Sequence, residues 1–477
     1  MGTMTQLAVR FLKLLLIIYV FVFAYEWWRP LPDGMGRASA SYTVPDKGVR
    51  FFADIDKKDK KGDHTEVRAI EGRYRELLQK AKHMVLVGEM FVPDSSSSTV
   101  TTLLNEKHAT EKHVAIALLT DRMSTRYGGV NSESLNAQRK VGTLVIETDM
   151  NAMPDSDLFY SSFWRPFISW WGNSQNGGWL SDPIGRSAGK FTLRSWLTFF
   201  NAKMNKSHFI FVDAPTGKTE KLPVLFASSD ISAGRGSTGA VALEVDDKLW
   251  AELSRSAGLI ANISASGLPS FSGTDIDDAS GTLRARMLDF THAHEQIIAH
   301  IKNLQQTDQL SIAMRFVSDR DVVSALKDAA NRNVNIRVIL DPNEEYFGHK
   351  LHGIPNRPVA KEFTSNIGGG IEVRWCDPRK LPCESRMMLG KSATSTFLMV
   401  GGADLTGRDI GGYNIVSEVM VESTHDFTAS KDAEAYFNKM WMNDGGDYTV
   451  PYENFADDSI WRSSVYRMME RTGISYY

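Results

Sequence analysis

Apolar residues recur along this chain in two alternating patterns, one with the period of a helix and one continuous. "VRAIEGRYRELLQKAKH" sets them at helical spacing, and "MVLVGEMFV" follows as a short apolar run, the pattern of a buried strand. "VTTLLNEKHATEKH" predicts a second helix and "VAIALLTD" a second strand ending at Asp121. The same order returns later. "HEQIIAHIKNLQQTD" reads as a helix and "QLSIAMRFV" as a strand. "RDVVSALKDAANRN" is helical again, with Val323, Leu326 and Ala330 on one face, and "VNIRVILDPN" is the matching strand, ending at Asp341. Each half closes with two more strands, "HFIFVD" and "PVLFASSDIS" in the first, "RMMLG" and "TFLMVGGADLT" in the second. Helices alternating with apolar strands imply sheets covered by helices on both faces. The repetition implies two such α/β halves packed together, with a cleft where they meet.

Ahead of the halves, "FLKLLLIIYVFVFAYEWW" is nearly all apolar, with Arg10 and Lys13 at its front and two tryptophans at its end. Counted from Leu7 it approaches the ~20 residues that span a bilayer. The Trp pair suits an interfacial belt, and the basic front suits a cytoplasmic N-terminus. "ASA" at Ala38 to Ala40 offers a signal-peptide cleavage site but lies far past the apolar run. The segment therefore reads as an uncleaved signal anchor, with the bulk of the chain extracytoplasmic and periplasmic. The expected organisation is an anchor over 1–30, a linker over 31–65 containing the charged "DKKDKKGDH", a first half over 66–275 and a second over 276–477.

Composition is that of a globular protein, 42% hydrophobic and 23% charged, and the formal net charge of −3 argues against a general nucleic-acid binder. The two cysteines, Cys376 and Cys383 in "WCDPRKLPC", suit a disulfide outside the cytosol and, without nearby histidines, make a poor zinc site. "SSSS" at Ser95 to Ser98 reads as a loop, and "GGG" at Gly368 to Gly370 as a plain turn rather than a phosphate loop. The aromatic stretch "FYSSFWRPFISWWGNSQNGGWL" leaves two readings open, a membrane-facing flap or an insertion packed on the core.

Candidate chemistry centres on "NAKMNKSHFIFVD". Lys206 and His208 stand two residues apart, and on a strand they would present an amine and an imidazole on one face. With "LLTDRMSTRYGG", "SSDISAGRGSTGAVAL", "RFVSDRDVVSALKDAANRNVNIRVILDPN", "GIPNRPVA" and "GGADLTGRDIGGYNI", this segment resembles the phospholipase D superfamily, specifically bacterial membrane-anchored members, from about Val49 to Val421. The resemblance implies two similar α/β halves. Each would supply a His-x-Lys pair and a Gly/Ser-rich turn ending in Asn, with no metal or cofactor. One histidine attacks phosphorus and the other protonates the leaving alcohol, while lysines and asparagines hold the phosphate oxygens.

This chain departs from that pattern. The first family histidine falls on Lys206 and the family lysine on His208. Asp213 keeps the closing acid and Ser228 the turn serine, but Asp230 replaces asparagine. In the second half Glu384 stands for histidine, Arg386 for lysine, Lys391 for the closing acid and Asp404 for asparagine. Arginine has no accessible neutral form, and two strand residues displace His208 by about 6–7 Å from the nucleophile's place.

The expectation is therefore a catalytically impaired pseudoenzyme, a binding or accessory subunit at the membrane. Its partners would be membrane lipid or a membrane-protein complex, with no nucleic acid. Lys206 and Arg386 would pair with Glu384, Asp230 and Asp404 across the halves. The alternative is an active phosphodiesterase or phosphatidyltransferase using His208 as nucleophile and Glu384 as proton donor, with Lys206, Arg386, Ser228, Asp230, Asp404 and Asp213 around the phosphate. A third reading is an anion-binding patch of Lys203, Lys206, Arg386 and Lys391.

Overall fold

The computed structural model describes residues 2–58, 64–94, 98–182, 190–201, 203–213, 223–231, 239–268, 281–289, 292–346, 349–365, 370–377, 383–475 and 477. The middle of the charged segment "DKKDKKGDH", Ser95 to Ser97, residues 232–238 of the Gly/Ser-rich turn, and Gly368 and Gly369 lie outside them.

Two mixed sheets carry the fold. The first runs, edge to edge, Val49–Ala53, Val241–Val245, Val224–Ala227, Phe209–Val212, Met84–Glu89, Ala115–Asp121 and Leu144–Thr148. The second runs Tyr42–Val44, Leu283–Leu288, Glu418–Ser423, Thr396–Gly401, Met387–Lys391, Gln309–Met314, Asn335–Leu340, Glu372–Cys376 and Thr449–Pro451. Setting aside the two outermost strands of the second sheet, the orders coincide strand for strand. So do the directions: three parallel strands at one end, then antiparallel pairs. The duplication read in the sequence is a duplication of topology.

Period-two alternation divides each sheet between two cores. In the first half Leu86, Phe209 and Phe211 face inward, while Val85, Val87 and Ile210 face the helices Ala69–Lys80 and Thr99–Thr110. In the second, Ala313, Met387 and Leu389 face inward, while Ile312, Val338 and Met388 face the helices His292–Asn303, Arg320–Asn331 and Asn356–Thr364. The inward faces share one core with the helices Trp250–Ile263 and Thr428–Met442. Each large apolar side chain buried there contributes about 1.5–3 kcal/mol, so the halves are held together by the same interior that folds them.

Residues 31–65 are more than a linker. Tyr42–Val44 pairs with Leu283–Leu288 at the edge of the second sheet, and Val49–Ala53 pairs with Val241–Val245 at the edge of the first. Ile55–Lys58 and His64–Val67 form a hairpin. The segment laces both sheets, yet each strand is too short to show a period in sequence. The N-terminal helix Gly2–Trp27 contains one apolar segment, Met4–Trp27, long enough to cross a membrane and not buried inside the protein.

Cys376, ending the strand Glu372–Cys376, forms a disulfide with Cys383, their Cα atoms 5.8 Å apart. Closing so short a loop restricts the unfolded chain by about 2–3 kcal/mol. The full-length double variant Cys376→Ala/Cys383→Ala in detergent is expected to lose about that much, seen as a lower urea midpoint at unchanged slope. An unmoved midpoint would contradict the estimate.

Candidate functional site

The two halves meet through the segment that carries Lys206. Asn205–Lys206 leaves the first sheet and pairs in parallel with Ile415–Val416 of the second half, Asn205 opposite Ile415 and Lys206 opposite Val416. The Asn414 amide side chain accepts from Met204 N at 2.9 Å, and Ile415 N donates to Met204 O at 3.0 Å. Gly402 permits the approach, because a Cβ there would collide with the Lys206 carbonyl and the His208 ring.

This path separates the opening pair. Ser207 and His208 fall between the strands Asn205–Lys206 and Phe209–Val212, so the expected common face does not form. Lys206 Nζ crosses to Asp409 Oδ2 at 2.7 Å and Asp404 Oδ2 at 3.2 Å. His208 Nδ1 stays in its own half, 2.9 Å from Asp230 Oδ1. Asp230 also accepts from Met90 N at 2.6 Å and Phe91 N at 3.0 Å. The acid predicted to join the inter-half network instead orients a histidine and holds the loop after the strand Met84–Glu89.

The network continues through Arg386. Its Nε lies 3.1 Å from Asp404 Oδ1, its Nη1 3.6 Å from Glu384 Oε2, and Nη1 donates to the Ser228 carbonyl of the first half. Arg315, which sequence reasoning missed, donates to Glu384 Oε1 at 2.7 Å. Ser228 Oγ donates to the Glu384 carbonyl at 2.6 Å and accepts from Val241 N at 2.9 Å. Lys206 and Asp404 are 2% and 0% exposed as side chains, whereas Glu384 and Arg315 keep 12% and 13% at the edge. Among the described residues, Lys206, Arg315 and Arg386 thus face Asp404, Asp409 and Glu384, three cations against three acids.

Electrostatics follow from burial and pairing. Burial opposes the Lys206 charge, but Asp409 and Asp404 overcome it and hold the amine above its ordinary range. Burial likewise opposes the Asp404 charge, and Arg386, Lys206 and Arg315 hold that carboxyl below the usual carboxylate range. Glu418, also missed, is the reverse case. Burial pushes it well above that range despite the Ala403 amide that donates to it and the nearby Arg386, and Asp409 and Asp404 push the same way. Its environment favours the protonated, neutral form.

Three residues of the expected site and basic patch stand elsewhere. Asp213, with φ of 48°, accepts from the amides of Lys82, His83 and Met84 and so closes a turn; its carboxylate does not join the cluster. Lys391 pairs with Asp426 and Glu434, each at 2.7 Å. Lys203 pairs with Asp155 at 2.6 Å. Every cation of the supposed basic patch therefore has its own carboxylate, and the patch does not form. Among the described residues, the ligand atoms of His294, Asp319 and Asp321 lie within 4.8 Å of one another, outside the network. Asp319 there already caps the helix Arg320–Asn331 through the amides of Asp321 and Val322.

Residues 297–441 match the family model described as cardiolipin synthase, PLD-like domain. Among solved structures, the phosphatidylserine synthase of Haemophilus influenzae Rd KW20 is similar over 92% of this chain and 96% of its own, with a TM-score of 0.56 at 8% identity. Nuc from Salmonella typhimurium, a phospholipase D family member, covers 33% of this chain and 95% of its own, with a TM-score of 0.25 at 13% identity. No curated protein matches the chain. Residues 297–441 thus resemble a PLD-like domain, and the chain as a whole shares the two-sheet fold of that synthase.

Two outcomes are expected. Arg386→Ala leaves Asp404 and Glu384 short of a partner and destabilises the fold by about 3–5 kcal/mol, measured by denaturant unfolding; a variant as stable as the parent would disprove the closed network. Glu418→Gln tests the neutral acid. The unfolded chain loses this proton near pH 4.5 whereas the folded chain keeps it, so the folded state binds more protons and stability falls as pH rises above that value. Parent and variant should melt alike near pH 4, and the variant should gain steadily from pH 5 to pH 8. A constant difference across that window would show an ionised Glu418.

Proposed function

We propose that this protein is a membrane-anchored, phospholipid-related member of the superfamily whose reaction site has become an internal clamp, and that it serves as a binding or accessory component at the membrane. The observation that carries this reading is the charge-balanced network of Lys206, Arg386, Asp404, Asp409, Glu384 and Arg315, four of which (Lys206, Arg386, Asp404 and Glu384) stand where the resemblance places phosphate-handling residues. The names of its likenesses, a phosphatidylserine synthase and a cardiolipin synthase-type domain, support a lipid setting. Arg10 and Lys13 ahead of the apolar helix support a cytoplasmic N-terminus. The disulfide agrees with a body outside the cytoplasm.

One observation favours a second, catalytic reading. His208 carries a carboxylate on Nδ1, the arrangement that fixes a tautomer and readies Nε2 for attack or proton transfer. Full-length protein incubated with vesicles of headgroup-labelled phosphatidylglycerol separates the two. No headgroup release and no phosphohistidine are expected. Release that vanishes in His208→Ala, with label trapped on that residue, would establish catalysis instead.

A further inference from the structure

The last third of the N-terminal helix does not stand clear of the body. Tyr19 Oη donates to the Phe159 carbonyl at 3.1 Å, the Phe23 and Phe159 rings lie 5.5 Å apart, and Glu26 Oε1 is 3.1 Å from Arg165 Nε. The helix Leu158–Phe167 therefore runs beside residues 19–26 in the same direction. Tyr19 lies about 12 Å inside the end of the apolar segment at Trp27. The segment below Tyr19 offers only about 15 residues, roughly 22 Å, against a hydrocarbon core of about 30 Å. A bilayer crossed by this helix must therefore reach the level of Leu158–Phe167.

That helix presents a suitable surface. Phe159 and Phe163, one turn apart, are 54% and 45% exposed, while Ser161, Ser162 and Trp164 are buried against the body. Beyond its far end, past the Glu26–Arg165 pair, Trp170 and Trp171 are 73% and 40% exposed. Trp27 and Trp28, at the same end of the N-terminal helix, are exposed as well. The order is phenylalanine deeper and tryptophan at the charged boundary, as in an interfacial belt. Arg194 fixes the platform by stacking on Trp164, 4.2 Å from its ring centre, and donating to the Ser169 carbonyl at 2.8 Å.

We propose that residues 159–171 form a second membrane-contacting element, with Phe159 and Phe163 against acyl chains and Trp170 and Trp171 among the headgroups, so that the body sits on the bilayer without a stalk. This rests on reading the N-terminal helix as a membrane span. The test uses full-length protein in phosphatidylethanolamine/phosphatidylglycerol vesicles, a carbene photolabel that partitions into the bilayer, and peptide mapping. Label is expected in the N-terminal helix and in residues 159–171. Label in the N-terminal helix alone overturns the second contact and spares the anchor; label in neither overturns both. Independently, quenching of tryptophan emission by acyl-brominated lipid should drop in Trp170→Phe/Trp171→Phe, and undiminished quenching would remove those residues from the membrane.

Discussion

Lys206 reaches out of its own half to the Asp404 and Asp409 carboxylates of the other, and the register of the two halves is tied to that contact. A buried ammonium costs several kcal/mol in lost hydration unless carboxylates compensate it. Here two do, and the backbone pairing of Asn205–Lys206 with Ile415–Val416 delivers the amine to them. The apolar core between the sheets is far larger in energy but non-directional. Sliding one sheet over the other would preserve much of that burial while stranding Lys206 and Asp404. The ionic contact adds little net stability and selects a single alignment.

The same contact alters what the site can do with phosphate. A family site needs positive charge and donors that remain uncommitted until substrate arrives. In this chain the carboxylates of Asp230 and Asp404 are already occupied. Asp230 takes the amides of Met90 and Phe91, and Asp404 takes the amide of Phe316. Phe91 and Phe316 follow equivalent strands of the duplicated topology, so both acids do the same structural work. A phosphate brought to this site would be a further anion beside Asp404.

Legibility in sequence followed the length of each pattern. The paired helices and strands of each half showed because they carry sustained apolar periods. The third parallel strands, Leu144–Thr148 and Glu372–Cys376, were passed over because they mix apolar and charged residues. The edge strands in 42–53 were hidden by brevity. At the site, the resemblance placed Lys206, Arg386, Glu384 and Asp404 near one another, and salt bridges connect them. Asp230 was misassigned because nothing in a linear motif says that His208 would turn away from Lys206. Arg315 and Asp409 were missed because each becomes a partner only when loops from separate strands converge, although both lie within the segments "MRFV" and "GRDIGG" that the resemblance spans.

Lys203 shows how the N-terminal helix and the contact between the halves belong to one construction. Its amine pairs with Asp155 at 2.6 Å, Asp155 with Arg165 at 2.7 Å, and Arg165 with Glu26 of the N-terminal helix at 3.1 Å. Burial lowers the Lys203 pKa to about 8 even with Asp155 beside it, and the amine also donates to the Met153 carbonyl at 2.7 Å. Three residues further on, Lys206 begins the crossing to Asp409. The segment from Lys203 to Lys206 is thus held at one end by ion pairs that lead to the N-terminal helix and at the other by the second half. A segment tied at both ends through buried charges is suited to fixing how the N-terminal helix and the two halves sit against one another.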